Sequence, residues 1–534
     1  MSSEAAEVYA TEALRSFPKL LGLVDRNRLS PTYGCFDRQY WHYKAIDFPS
    51  GMAETGALPL ALAFAHPFPG GERYHRQPRL AELALAAVRF AARAAHRDGS
   101  CDDYFPYERA LGATAFSLYA LTETCLVLGA RDRDLLAFLA RRADWVLAHD
   151  ESGRLANHQA LSALALLNTA LATGEGRFRD GAARRVERVL GWQSSEGWFW
   201  EYEGADPGYQ SATVDFLAKY VAKSGERRLL DPLARAVEFC RHFVHPDGSY
   251  GGGYGSRNTY NVFPAGFELL APDVPAAGAI AAALRAGIAA GRRAYADDDR
   301  IFFHWVWDYL QAFLHHRPAA SPPPGLGART RYFTEARVYV RDEPGRYAVV
   351  SLAKGGVLAV FADGRRAYSD HGLIGRLDDG RLVVTQLVDD YTVSVGENAL
   401  TVEGRFGYAS TLLPTPWRQL AFRLFTLTVG RVAPTLVRRL LQRLLIVGKR
   451  RAPLAFRRTI QFTSPMRLID EVWWADGPTA RRLETLFAGT DHTAIYVATS
   501  QVFQESVLQP WHDYGPHLDA LASGDRLRVE RLLA

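Results

Sequence analysis

From residue 79 the chain sets apolar side chains three and four positions apart, RLAELALAAVRFAARAAHR, with alanine filling the places between. On a helix of 3.6 residues per turn this spacing makes one apolar stripe, so the segment is predicted to be an amphipathic helix. The same period returns in LGATAFSLYALTETCLVLGA, DLLAFLARRADWVLAH, QALSALALLNTALATG and AAGAIAAALRAGIAAGRRAYA, with Gly and Pro clusters between them. Residues 1–317 are therefore expected to be helical throughout. Beneath the pattern lies a weak repeat, because Asp98-Gly99, Ser152-Gly153, Glu196-Gly197 and Asp247-Gly248 follow one another at 54, 44 and 51 residues. Two helices per unit at that period predict stacked helical hairpins whose intervening loops share one rim. A scaffold can aim such loops at one cleft, so candidate functional residues are sought there.

RPAASPPPGLG, beginning at Arg317, breaks the pattern, and residues 318–328 are read as a Pro-rich linker. Beyond it the period changes to two in ARVYVRD, RYAVVSLAKG, GVLAVFADG, RLVVTQLVDD, YTVSVG and TAIYVATS. Short β-branched runs bounded by Gly, Asp and Asn predict an antiparallel β-sandwich over 329–534. Helices grouped first and strands second give an α+β, multidomain fold: a helical (α/α) domain followed by a sandwich.

One stretch interrupts the strands. Residues 417–458 hold ten Arg, one Lys and no acid, interleaved with Leu, Phe and Val at helical spacing, and Pro434 divides them. In a chain of net charge +5, these eleven charges leave −6 for the remainder. A basic amphipathic insertion at about 411–458 has two readings. It lies on an anionic membrane surface through Arg418, Phe422, Arg423, Phe425, Arg431, Arg438, Arg439 and Arg443, or it docks on an acidic surface of its own protein. Nucleic acid is not the expected partner, since Phe and Leu at this density serve no purpose against phosphates.

Composition narrows the class. Over 534 residues, 48% apolar and 23% charged describe a globular chain long enough for two or more cores. Aromatic residues make up 12%, which suits either a sugar-binding cleft or aromatic-rich cores. Cys35, Cys101, Cys125 and Cys240 form no C-x-x-C pair and are expected to be free thiols of a reducing compartment. The N-terminal stretch carries Glu4 and Glu7 without an uninterrupted apolar run, and no spanning segment stands out. A cytoplasmic protein associated peripherally with the inner face of the membrane is the expectation.

Four constellations carry candidate chemistry. YGCFDRQYWHYKAIDFPSGMAETG offers Arg38, Trp41, Lys44 and Glu54, as a sugar-facing surface or as a plug sealing the first hairpin. Glu108 and Arg109 follow the first Gly turn in the same spirit. Asn157-His158 opens a helix, where Asn is commonly an N-cap and the next residue exposed. EGWFWEYEGADPGYQSATVDFL presents Trp200, Tyr209 and Gln210 around a tight turn. DGSYGGGYGSRNTYN presents Tyr254, Arg257, Asn258 and Tyr260 among glycines that allow close approach of a ligand, or that simply build a flexible loop.

Taken with Asn157-His158, the run from Glu201 to Tyr209-Gln210 and the sandwich segment YSDHGLIG, the chain resembles the heparinase II/III-like polysaccharide lyases. The resemblance implies an incomplete (α/α) toroid followed by a β-sandwich. It also implies a carbohydrate-active enzyme that removes the C5 proton of a uronic acid and β-eliminates. Carried over residue by residue, Asn157 neutralises the uronate carboxylate, Tyr209 is acid and base, and His371 contributes from the sandwich, with His158 and Arg257 beside them. The residue types fit, because C5–H becomes acidic only when the adjacent carboxylate is neutralised, and a phenol needs help to act as a base. Two features depart from the family pattern: only Asp370-His371-Gly372 stands for a richer sandwich cluster, and Gln210 follows Tyr209 where His is expected. The expected partner is an acidic oligo- or polysaccharide, a lipid-linked form included. No cofactor is implied and no metal is required, since H-x-x-x-H and H-E-x-x-H do not occur and Asp491-His492 and His512-Asp513 are isolated pairs. A uronyl C5-epimerase of the same fold and a non-catalytic glycan-binding or assembly protein are the alternatives.

Overall fold

The structure is a computed structural model and describes residues 3–151, 153–202, 204–292, 299–318, 325–409, 413–437, 440, 450–477, 481–494 and 508–533. The helical half contains α1 (Glu7–Arg15), the short α2 (Phe17–Leu23) and α3 (Arg38–Trp41), and α4 (Ala57–Ala65). It continues with α5 (Pro78–Ala94), α6 (Leu111–Leu128), α7 (Arg133–Ala148), α8 (Ala156–Thr173), α9 (Gly176–Leu190) and α10 (Pro207–Ser224). The last four are α11 (Leu230–Arg241), α12 (Pro264–Leu270), α13 (Pro275–Ala289) and α14 (Phe302–His315). Helices α4, α6, α8, α10, α12 and α14 pack each on the next, and α14 returns to α4, so the inner ring of the toroid closes. The partners α1, α5, α7, α9, α11 and α13 lie outside.

Sequence pattern decides which ring a helix joins. Outer α5 buries Leu80, Leu83, Ala84, Ala87, Val88 and Ala91, one stripe of a helix otherwise turned to water. Inner α6 is buried at every position from Leu111 to Cys125. By length and composition α6 is also apolar enough to cross a membrane, but 83% of it lies inside the toroid. One buried cluster within the inner ring is an ion triad: Lys219 Nζ donates to Asp215 Oδ2 at 2.6 Å and to Asp308 Oδ1 at 3.0 Å, all three buried.

The two ends of the toroid differ. Inner helices pass to outer ones through short connections capped by left-handed Gly129, Gly174 and Gly225. Outer helices pass to inner ones through long loops, and these carry the repeat seen in the sequence. Gly99, Gly197 and Gly248 have φ of +89°, +97° and +81°. A Cβ on them would meet Arg142 N at 2.7 Å in α7, Arg235 O at 2.3 Å in α11 and Gly287 Cα at 2.4 Å in α13. Each glycine thus lets a loop lie against the following outer helix, which sets the long loops on one rim.

Strands begin at Arg331. A five-stranded antiparallel meander runs β1 (Arg331–Phe333), β2 (Val338–Glu343), β3 (Arg346–Ser351), β4 (Val357–Ala362) and β5 (Arg365–Asp370). The second sheet has the order β13-β12-β6-β7-β9-β10-β11-β14, with β8 paired to β9. Its strands are β6 (Leu373–Leu377), β7 (Leu382–Val384), β8 (Thr392–Val395), β9 (Ala399–Ala409), β10 (Arg451–Gln461), β11 (Met466–Trp474), β12 (Leu483–Ala488), β13 (His512–Asp513) and β14 (Leu527–Leu533). Tyr347, Val349, Ala359 and Phe361 of the first sheet join the toroid's core, while Ala348, Val350, Leu358 and Val360 face the second sheet. Burial on both faces explains why β3 and β4 are nearly continuous apolar runs rather than alternating ones.

The basic stretch is not one insertion as expected. Its last eight residues, from Arg451, belong to β10, where Arg458 is fully buried between Asp370 and Asp470 and Arg457 pairs with Glu403 at 2.7 Å. Among the described residues before 451, those that leave the sandwich form helix α15 (Pro416–Phe425) and a wider turn over Thr426–Gly430.

Candidate active site at the long-loop rim

Helix α8 starts from a bridge between Leu155 and Glu201, which ties the loop before α8 to the loop before α10. Leu155 occupies the cap position, so Asn157 is not the N-cap that its place in the sequence suggests. It is buried in the first turn, and its N–H donates to Glu201 Oε2 at 3.4 Å. Asn157 Nδ2 and Glu201 Oε1 are both buried and make no hydrogen bond of ordinary length, although the Asn157 side chain lies near enough to the Glu201 carboxyl to lower its pKa. Burial raises the Glu201 carboxyl to about 7, against a lowering influence from His158. His158 is not an exposed first-turn residue either: Nδ1 lies 3.0 Å from Glu151 Oε1, and the ring fills the space beside Gly112, where a Cβ would come within 2.5 Å. Burial opposes a charge on this ring, but the hydrogen bond and field of Glu151 outweigh it and its pKa is raised.

The loop before α12 folds against the same place. Ser256 N donates to Ala205 O at 3.0 Å and Arg257 N to Asp206 Oδ2 at 2.8 Å. The Arg257 guanidinium lies 3.5 Å over the Tyr202 ring, and its Nε has no partner. Tyr209 stands at the third position of α10, half-buried, with its N–H on Asp206 Oδ1 at 3.1 Å. From the sandwich, His371 packs on Gly253, where a Cβ would meet its Cε1 at 2.3 Å, and its Nδ1 lies 2.8 Å from His492 O. Burial holds His371 down to about 4, so the ring is neutral near pH 7. Asn157, His158, Tyr209, Arg257 and His371 therefore belong to one set of touching loops.

Several expected substrate contacts serve the scaffold instead. Glu54 is buried against Arg142 Nη1 at 2.5 Å and the Ser117 hydroxyl, so it is an internal ion pair and not a sugar-facing acid. Glu108 accepts from the N–H groups of Asp103 at 3.0 Å and Tyr104 at 2.7 Å, and burial and Asp103 raise it to about 8. Gln210 Oε1 accepts from Phe199 N at 2.8 Å, and the Tyr254 hydroxyl bonds His245 Nε2 at 2.8 Å. Asn258 is held between Lys354 Nζ and the Thr493 hydroxyl, while Tyr260 is buried beside Gly252. Arg109 pairs with Asp98 at 2.9 Å, and Trp41 Nε1 donates to Leu23 O at 2.8 Å, which is the plug reading. Arg38 donates to the Tyr43 hydroxyl at 2.9 Å and Lys44 is exposed; Trp200 stacks under Arg154 at 3.7 Å.

Sequence reasoning assigned no role to Glu201, Tyr202, Glu151 or Lys354. Lys354 is buried, donating to Gly255 O at 3.0 Å, and burial holds its ammonium down to about 7. Backbone strain marks the same rim: Lys44, Tyr107, Arg109, Tyr202 and Asn258 have φ of 54°, 61°, 48°, 60° and 56°. Each such residue costs about 1–3 kcal/mol unless its surroundings hold it, and these residues cluster where function is sought. Among the described residues no group of three or more His, Cys, Asp or Glu side chains is placed to hold a metal ion.

Of the basic stretch, Arg418, Phe422, Arg423, Phe425 and Arg431 are described, while Arg438 and Arg439, with Arg443, lie outside the described residues. Phe422 meets Phe105 ring to ring at 5.5 Å, and Arg423 pairs with Asp47, so α15 sits on the long-loop rim.

No protein-family model matches the chain, and no curated protein matches it. Among solved structures it is similar to the Streptomyces coelicolor A3 chondroitin AC lyase in complex with chondroitin sulphate, at 14% identity over 90% of this chain and 68% of that one, with a TM-score of 0.49. A heparinase III is similar at 12% identity over 90% and 72%, with a TM-score of 0.43. The cellobiose 2-epimerase of Bacillus thermoamylovorans matches 53% of this chain and 86% of its own, at 13% identity and a TM-score of 0.41. These likenesses stand beside the toroid and sandwich, which rest on the chain's own packing.

Proposed function

We propose that the chain is a carbohydrate-active enzyme that acts on uronate-containing glycans by C5 proton abstraction and β-elimination at the long-loop rim. One observation carries the reading: Asn157 and Glu201, on segments joined by a bridge, face each other in a buried site, Asn157 N–H donating to Glu201 Oε2 at 3.4 Å, and Glu201 is raised to about 7. Below that pH a protonated Glu201 and the Asn157 amide are two neutral donors for one carboxylate. Such a pair stabilises the charge that develops when C5 loses its proton, and Arg257 adds a cation to the same loops. In the reaction the C5–H bond breaks and the proton goes to the Tyr209 phenolate oxygen. The electron pair forms the C4–C5 double bond, the C4–O bond breaks, and the leaving oxygen takes a proton back from Tyr209.

The test is ultraviolet absorbance of the unsaturated uronate over a panel of acidic polysaccharides. Tyr209→Phe removes only the ionisable hydroxyl, and turnover is expected to fall on the order of 10² or more. Unchanged turnover in Tyr209→Phe removes that residue from the mechanism. Solvent deuterium entering C5 without cleavage identifies an epimerase, and neither signal across the panel identifies a binding protein.

A further inference from the structure

The segment 413–437 carries two opposed stripes. The inward one is Phe422, Thr426, Gly430 and Val437: Phe422 meets Phe105, Gly430 lies 3.9 Å from Tyr107 Cβ as measured from an added Cβ, and Thr426 and Val437 are fully buried. Arg423 completes this seat through Asp47 and the Phe48 ring. The outward stripe is Trp417, Leu420, Leu424 and Leu427, followed by Val432 and Leu436, at spacings of three to five residues. Trp417 is 80% exposed, Leu424 56%, Val432 85% and Leu436 59%. A helix docked on one face and bathed in water on the other carries polar residues outward. Here the water-facing stripe is the apolar one, and a contiguous exposed patch of this kind marks an interaction surface. Exposed Arg418 and Arg431 flank it, and residues 413–450 contain no Asp or Glu.

We propose that this outward stripe is a docking surface for an anionic lipid bilayer, such as the cytoplasmic leaflet, with the apolar side chains entering the interface and the arginines meeting lipid headgroups. Charge selects the occupant: a purely apolar partner has no use for flanking arginines, and an acidic soluble partner has no use for Trp, Leu and Val left in water. Because the inward stripe is seated on the loops at Asp47 and Phe105–Tyr107, docking holds the long-loop rim beside the membrane. Resting on the glycan reading above, this makes a lipid-anchored acidic glycan the fitting form of substrate.

The full chain is sedimented with vesicles of phosphatidylcholine alone and of phosphatidylcholine mixed with phosphatidylglycerol, with no sugar present, so that failure here and failure of the glycan reading are separate results. Binding is expected only to the mixed vesicles and is expected to weaken roughly tenfold or more from low to high salt. Replacing Trp417, Leu420, Leu424 and Leu427 together by Ser alters exposed positions only, so the melting temperature stays as in the parent chain while vesicle binding is lost. Arg418→Glu with Arg431→Glu is expected to weaken binding in the same direction. A parent chain that remains in the supernatant with mixed vesicles at low salt overturns the proposal, as does a serine variant that binds like the parent. Self-association of the parent without lipid, abolished by the serine substitutions, overturns it in favour of contact between two copies.

Discussion

Glu201→Gln separates titration from hydrogen bonding at the proposed site. The carboxyl is buried and raised from 4.5 to about 7, chiefly by desolvation. A carboxyl with a folded pKa above its unfolded value takes up a proton on folding. Its contribution is fully present below pH 4.5 and is lost as pH rises through 7. A shift of this size corresponds to about 3 kcal/mol of stability, at about 1.4 kcal/mol per pH unit. Glutamine keeps a donor and a similar shape and cannot titrate. The variant and parent should therefore have melting temperatures that separate as pH rises from 4.5 to 8, with the variant the more stable at pH 8. Taking about 2 cal/mol/K per residue for a toroid of some 300 residues, the separation at pH 8 is about 5 °C. Differential scanning calorimetry at a series of pH values measures it. The same account requires the parent to lose kcat/KM relative to the variant as pH rises through 7. Parallel melting curves across this range would refute the claim that Glu201 folds into a site that keeps it protonated.

Three further outcomes follow from other parts of the molecule. Lys219→Met leaves Asp215 and Asp308 buried without their cation, and is expected to cost about 3–5 kcal/mol, read by denaturant or thermal unfolding. Gly197→Ala forces a Cβ to within 2.3 Å of Arg235 O at φ +97°, and is expected to cost at least about 2 kcal/mol, whereas Gly174→Ala, with nothing within 4 Å of its Cβ, carries the left-handed strain alone and costs less. Asn157→Ala removes the neutralising amide and is expected to lower kcat/KM on the order of 10², read as uronate elimination rate.

Much of the architecture is legible because burial leaves a period. Helices α5, α7 and α9 show one stripe, and the glycine turns at Gly99, Gly197 and Gly248 repeat because each must lie on the next outer helix. The inner helices and strands β3 and β4 are less distinct, since an element covered on every side has no polar face to set its phase. Charge is harder still to read along the chain. Glu54 resembles a cleft acid until Arg142, 88 residues away, is seen to occupy it, and Lys354 resembles a surface lysine until the carbonyls of Gly253 and Gly255 close around it. Local sequence also merged two structures in the basic stretch: Arg418, Arg423 and Arg431 belong to an insertion resting on the toroid, whereas Arg457 and Arg458 follow the alternation of strand β10. The Asn157–Glu201 pair escaped notice for a similar reason, since the residues lie 44 apart and meet only through the bridge at Leu155.

The central claim is abstraction of a uronate C5 proton at this rim, and proton magnetic resonance of the glycan itself tests it most directly. Acidic oligosaccharides incubated with the parent chain in heavy water are predicted to lose the C5 proton signal and gain the vinylic C4 signal of an unsaturated uronate. Tyr209→Phe is predicted to leave both unchanged over the same period. A C5 signal that persists at full intensity with the parent chain across a broad uronate panel would contradict the account.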